Sequence, residues 1–323
     1  MKVSSSLVAL IGAASLAACG GGGSGGGGTS GPAPSPSPSP SPSPSPTFTY
    51  TKFADLSGDQ DFPTACVEAE GSPIGTLRNA IPRQMGRNGN LIYTASTDSW
   101  AVNDGIGRNE TFGPADLVST TANSDSYEKP SGFGPLNRFQ IFRNSNTGID
   151  FEYMRSTFTL LFDGANPPGY TSCYFGVPTD PDDVPSDATV TYTDLRIGGF
   201  VIDEVPGGSP PSEFKTIIGG SGTLTGNTQS GELTIDISLT VEDAGGVQST
   251  ITPIQGTVGT EINGDVAGYS GFLNAGAVPE YTIAGGYFGP EGRETGFIFH
   301  AAIDQNADGV PERSIYGGVA AKR

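Results

Sequence analysis

Between residues 233 and 241 the chain alternates without a break. Leu233, Ile235, Ile237, Leu239 and Val241 interleave with Thr234, Asp236, Ser238 and Thr240. A period of two sends the first set to one face of a β-strand and the second to the other, which predicts a strand with one buried side and one wet side. Comparable short runs recur from residue 187 onward, and eight can be read: "ATVTYTDLRIGGFVI", "TIIGGSGTLTG", "GELTIDISLTVED", "QSTITPIQGTVGT", "INGDVAGYSGFLN", "EYTIAGGYFG", "ETGFIFHAAID" and "RSIYGGVAAKR". Connections such as "TGNTQSGE" and "DQNADGVPE" are hairpin-sized and carry the Asn, Asp and Gly that tight turns need. Eight antiparallel strands can close into a barrel whose interior side chains fill it, and closure removes exposed edges. Glycines inside the strands, Gly220, Gly268 and Gly286 among them, permit the bends that a small barrel requires. The expectation is an all-β protein with an eight-stranded antiparallel barrel over residues 187–323.

Residues 47–186 are less regular. Strand-like pieces, "FTYTKFADL", "NLIYTASTDSWAV", "NRFQIFRN" and "FEYMRSTFTLLFD", are separated by polar Gly- and Pro-bearing stretches such as "NDGIGRNETFGPADLVSTTANSDSYEKPSGFGP", which read as long loops. The best short helix candidate, "GTLRNAIPRQMG", is interrupted by Pro82. This region is expected to be a separate β-rich domain.

Ahead of it, residues 20–31 are nearly all glycine and serine, and 32–46 alternate proline with serine or alanine. The first is a flexible coil and the second a polyproline II rod reaching about 45 Å, a spacer or else a Pro-rich ligand for a recognition domain. Before the tether, Lys2 and the apolar run "VSSSLVALIGAASLAAC" are too short to span a bilayer and end on small residues. Leu16, Ala17, Ala18 and Cys19 resemble a bacterial lipobox, which implies a signal peptide over 1–18 and a palmitate-bearing, acylated Cys19 as the start of a tether over 19–46. Gly20 in place of an aspartate implies the outer membrane by the same resemblance. More than one acyl chain makes such anchorage stable.

The remaining composition narrows the function. With 49 glycines, 26 prolines and a net charge of -18, the chain is unsuited to long helices and to nucleic acid, whose phosphates demand clustered Lys and Arg. An acidic chain is also repelled by anionic membrane surfaces, so attachment must be covalent. A transmembrane barrel would need aromatic girdles and an apolar outer band, whereas "TIIGGSGTLTG" and "INGDVAGYSGF" are polar on one face and glycine-rich on the other.

Two cysteines follow the anchor, Cys66 and Cys173. Outside the cytoplasm such a pair is expected to bond, worth about 4 to 5 kcal/mol in the chain-entropy model; two buried thiols or a metal site are the other readings, the last lacking any Cys-x-x-Cys or adjacent histidine. The single histidine, His300, alternates with Phe297, Phe299, Ala301 and Ile303 and shares its face with Ile298 and Ala302, as a solvent-side or hydrogen-bonded strand residue would. No Gly-x-Ser-x-Gly elbow accompanies it, and no pair among the 34 acidic residues stands out for glycoside hydrolysis. Asp304, Asn306 and Asp308 with Gly309 imitate half a calcium loop, but Ile315 stands where the bidentate glutamate belongs, and a hairpin turn explains the same residues. The expectation is no enzyme, no catalytic residue and no cofactor.

The stretch "GGYFGPEGRETGFIF" reads as two strands joined by a Gly-Pro turn. Gly285, Gly286, Tyr287, Phe288, Gly289, Pro290, Glu294 and Gly296 resemble the hairpin that closes the barrel of the transferrin-binding-protein-B family of surface lipoproteins, departing from it in the order Tyr287-Phe288 and at Phe297, where a second glycine is common. Upstream, "YFGVPTDPDDVPSDATVTYTDL" is similar to the lead-in from that family's handle to its barrel. On this resemblance 47–186 is a handle-like domain, and the hairpin is architectural, with Tyr287 and Phe297 expected to face each other. It implies a single-lobe, surface-displayed monomer that captures a protein or small-solute ligand, iron acquisition being the narrowest form. A structural or adhesive envelope lipoprotein without a ligand, and a glycan hydrolase, are the readings from other classes.

Overall fold

The computed structural model describes residues 48–71, 77–87, 90–103, 107–143, 150–162, 164, 168–183, 189–204, 212–227, 229–274, 279–304 and 311–323. Cys19, the segments 1–18 and 19–46, and the calcium-loop candidates Asn306 and Asp308 lie outside them. Residues Thr47–Arg323 form one compact unit.

Strands dominate the described chain, and its helical segments are short 3-10 turns. The first ten strands are β1 (Gln60–Gly71), β2 (Leu77–Arg83), β3 (Asn90–Thr94), β4 (Ser99–Asn103), β5 (Asn109–Phe112), β6 (Leu117–Thr120), β7 (Ser124–Pro130), β8 (Leu136–Phe142), β9 (Met154–Leu161) and β10 (Gly169–Gly176). They make one antiparallel sheet in the order β5-β4-β3-β1-β10-β9-β8-β7-β6, with β2 paired to β1 alone. This sheet does not close into a barrel. β1 is long enough to serve three partners: Gln60–Pro63 pair with β3, from Thr64 onward the strand pairs with β10, and from Cys66 onward it also pairs with β2. Cys66 stands directly opposite Cys173 in that ladder, and the two are disulfide-bonded.

Three expectations for this region change. "FTYTKFADL" contains no strand, only a 3-10 turn at Phe53–Asp55, because Phe53 is drawn under the sheet to stack on Phe62. The helix candidate "GTLRNAIPRQMG" is instead the edge strand β2, where Pro82 needs no outward partner and Asn79 takes a left-handed φ of 55° at the ladder's irregularity. The stretch read as long loops, 103–135, holds β5, β6 and β7, whose mostly exposed or half-buried positions conceal the alternation.

The remaining nine strands are β11 (Val190–Tyr192), β12 (Asp194–Glu204), β13 (Ser212–Asn227), β14 (Glu232–Glu242), β15 (Gln248–Asn263), β16 (Val266–Leu273), β17 (Tyr281–Phe288), β18 (Glu294–Ile303) and β19 (Arg313–Lys322). Their order is β11-β13-β12-β19-β18-β17-β16-β15-β14, and a further β13–β14 ladder brings the sheet round into a nearly closed barrel. There are nine strands where the sequence counts eight, since the first run breaks at Thr193 into β11 and β12. The closure is incomplete at the same place. β13 pairs with β11 at Leu224–Gly226 and with β12 at Ile217 and before, while no ladder pair joins 193–198 to 218–223.

Inside the barrel, the period-two face of β14 is buried: Leu233, Ile235, Ile237, Leu239 and Val241 pack with Tyr269, Tyr281, Phe297, Phe299 and Val319. Burial of apolar surface at about 25 cal/mol per Å² is the main force closing this ring. A second apolar layer joins the two sheets, with Val67, Met85, Tyr153 and Tyr174 from the first facing Ala284, Phe288, Ile298 and Tyr316 on the outer wall of the barrel. A third, around Phe62, Phe112, Phe139 and Phe175, lies within the first sheet's own curl.

Candidate functional site

The glycine-rich hairpin is β17, β18 and the turn between them, and it lies where the first sheet presses on the barrel. Gly286 pairs with Gly268 on one side and Gly296 on the other. A Cβ on Gly286 would stand 2.1 Å from the Met85 sulfur, so the missing side chain is the seat for Met85. Gly289, with φ 73°, starts the turn, and a Cβ there would lie 2.4 Å from the Tyr153 ring. Gly285 faces the barrel core beneath Tyr269, and Pro290 opens the 3-10 turn Pro290–Gly292. Phe288 is fully buried in the layer between the sheets and bridges to Pro178.

Glu294 completes the contact. Its carboxylate is fully buried and accepts the backbone N–H of Glu152 at 2.6 Å and of Tyr153 at 2.9 Å. Burial raises its pKa above the ordinary glutamate value, and the backbone donors pull the other way. Around it the incoming chain is stitched to the turn: Val177 donates to the Tyr153 carbonyl, Gly289 to the Val177 carbonyl, and Thr179 to the Tyr287 carbonyl. Glu294 therefore ties the barrel to the first sheet through a buried carboxyl group.

Tyr287 and Phe297 do not face each other. The loop 289–293 closes the ladder at Phe288↔Glu294, which puts Tyr287 opposite Thr295 and Phe297 opposite Gly285. Tyr269 fills the space between them, with its ring 5.3 Å from Tyr287 and 6.4 Å from Phe297. Its hydroxyl lies 2.9 Å from the Thr295 hydroxyl. The motif also sits in the middle of the barrel sheet, away from the β12–β13 junction where the ring is incomplete.

His300 is buried against Tyr316, not solvent-side, and donates to the Leu77 backbone. Burial lowers its pKa to about 4, so it is neutral in the fold. Asp304 follows β18, and among the described residues no three His, Cys, Asp or Glu side chains converge as a metal site requires.

Among the described residues, two surface concavities are of a size to hold a ligand. One, of about 690 Å³, lies along β3, β4 and β5 beside Arg87 and Glu110. Glu110 is held by Lys129 at 2.7 Å and Asn137 at 2.9 Å; burial works to raise its pKa, but these donors keep it below the usual carboxylate value. The other, of about 870 Å³, runs between the outer wall of β12, β13 and β19 and strands β8 to β10, and it contains Arg196. The Nε and Nη2 atoms of Arg196 are shut off from water and have no hydrogen-bond partner among the described residues. Sequence reasoning passed over this residue. Its one signal is a lone cation in "LRIGG", on a strand of an acidic protein.

No family model and no curated protein matches the chain. Among solved structures, transferrin binding protein B from Haemophilus parasuis Hp5, a Tyr-167-Ala and Trp-176-Ala double mutant, aligns at 13% identity over 80% of this chain and 44% of its own, with a TM-score of 0.41. The isotype 1 protein from serogroup B Neisseria meningitidis aligns at 14% identity over 81% of this chain and 44% of its own, with a TM-score of 0.38. HpuA from Kingella denitrificans, solved in complex with human haemoglobin, aligns at 14% identity over 87% of this chain and 91% of its own, with a TM-score of 0.32. The chain thus spans less than half the length of the transferrin binding protein B chains it is similar to.

Proposed function

We propose that this protein is an outer-membrane lipoprotein, anchored through acylated Cys19 and held off the membrane by the tether 19–46, whose all-β body captures a protein or small-solute ligand. In family terms it is a transferrin-binding-protein-B-like single lobe, with iron acquisition as the narrowest form. The observation that carries the reading is the run Leu16-Ala17-Ala18-Cys19 followed directly by a Gly/Ser and Pro/Ser spacer. A lipid anchor on a long spacer serves a body that must reach outward. The docked sheets supply a rigid body for that purpose, and the cleft holding Arg196 supplies a place for a ligand.

The test is protease shaving of intact cells alongside labelling with a palmitate analogue. The reading expects label on the wild type, none on Cys19→Ser, and loss of the Thr47–Arg323 body from shaved cells. Full protection of the body in intact, labelled cells would place it in the periplasm and overturn surface capture.

A further inference from the structure

Arg196 occupies an outward position on β12 where the barrel wall is least regular. Its neighbours Leu195 and Ile197 pack toward the barrel core, and the ladder to β13 is interrupted across 193–198. At Gly198 a Cβ would meet nothing within 4 Å, so the cleft is open there. The two unpartnered nitrogens, Nε and Nη2, form one edge of the guanidinium and present two parallel N–H groups. That edge matches the two oxygens of a carboxylate. Among the described residues no carboxylate is hydrogen-bonded to either nitrogen. Leaving a half-buried cation unpaired is costly, and a bound anion would relieve the cost.

Beside the cation the surface turns apolar. The Phe200 ring stacks on Tyr316 at 5.6 Å and meets Phe214 at 5.5 Å. Phe214 remains 49% exposed and Ile218 44% exposed, so this apolar strip is largely uncovered. A cleft of about 870 Å³ falls within the size of small-molecule sites, which combine an apolar lining with few polar groups.

We propose that this cleft binds a single-chain amphiphile with a carboxylate head. A small rotation of the Arg196 side chain turns its Nε–Nη2 edge into the cleft to grip the carboxylate, and the aliphatic chain lies along Phe200, Phe214 and Ile218. The proposal deepens the capture reading by naming a class of solute, but it requires neither the lipid anchor nor surface exposure.

The full-length protein is titrated with 11-(dansylamino)undecanoate, followed by dansyl fluorescence, with the corresponding carboxamide as the neutral control. One probe should bind per chain, and the acid should bind about tenfold or more tighter than the amide, as a charge-assisted pair implies. Arg196→Gln should abolish that preference, weakening the acid far more than the amide. Gly198→Leu, which fills the cleft at a position with ordinary backbone geometry, should weaken both probes. The unfolding temperature of Arg196→Gln should not fall below that of the wild type, because among the described residues Nε and Nη2 have no hydrogen-bond partner to lose and an unpaired cation is removed. No saturable binding, equal affinity for acid and amide, or a preference that survives Arg196→Gln would each overturn the proposal; so would a marked fall in the unfolding temperature of Arg196→Gln, which would show a structural cation. Loss of anchoring in the shaving experiment leaves this titration untouched, and failure of the titration leaves surface display standing.

Discussion

Glu294 on the barrel receives the backbone N–H of Tyr153, the residue that leads into β9 of the first sheet, at 2.9 Å, across 141 positions of sequence. The same Tyr153 lends its ring to the floor of the turn at Gly289, so one residue is gripped from both sides of the hairpin. The two sheets are thereby fixed to each other by a buried carboxylate and a glycine seat, in addition to the apolar layer around Val67, Tyr174 and Ile298.

Replacing Glu294 by Gln keeps the shape but turns one acceptor into an NH₂ facing a backbone N–H. The expected loss is about 1–3 kcal/mol of stability, the cost of leaving a buried donor unsatisfied. Denaturant unfolding of the variant against the wild type measures it. An unchanged midpoint with an unchanged slope would show that the contact contributes nothing.

Gly286→Ala should destabilise by about 1–3 kcal/mol, because its Cβ overlaps the Met85 sulfur and an overfilled contact must shift. Pairing it with Met85→Ala should recover part of that loss. A double-mutant cycle reads the coupling, and strict additivity would show that the two residues do not meet.

His300 gives the protein a defined acid response. Its pKa is about 4 in the fold against 6.5 for the free side chain, so below 6.5 the unfolded chain takes up a proton that the folded one refuses. Stability attributable to this residue is therefore full above pH 6.5 and is lost as the pH falls toward 4, by up to about 3 kcal/mol. Glu294, whose pKa is raised, acts with the opposite sign, gaining folded-state protons as the solution becomes acidic. Comparing wild type with His300→Gln in unfolding experiments from pH 8 to pH 4 isolates the histidine: the difference between the two should change across that window, and a constant difference would refute the assignment.

Removing the Cys66–Cys173 bond by a double serine substitution frees a loop of 107 positions in the unfolded chain. The expected loss is about 2–5 kcal/mol. Thermal unfolding under oxidising conditions, compared with the wild type, checks it. Reductant should then lower the wild-type transition and leave the variant's unchanged.

Much of the barrel was legible because a strand's period of two is a local property. The alternation through Leu233 and Val241 marks the buried face of β14 whatever the strand pairs with, and hairpin turns such as that at Asn227, whose side chain accepts the N–H groups of Gln229 and Ser230, announce themselves in composition. The first sheet was read less well. β5, β6 and β7 present few buried positions, so their sequence looks like loop, and β2 hides its strand character because Pro82, the left-handed Asn79 and a register shift in its ladder with β1 interrupt the alternation.

The sequence by itself determined that this is a strand-built, acidic protein with a hairpin of unusual glycine content near its end. Only the tertiary structure decided what those glycines are for. Gly286 and Gly289 are required by Met85 and Tyr153, side chains far away in the chain, and the unpaired edge of Arg196 is defined by what surrounds it. Alternation and turn chemistry act between neighbours and are written in order along the chain, whereas close approach and an absent partner are relations between distant segments that exist only once the chain has folded.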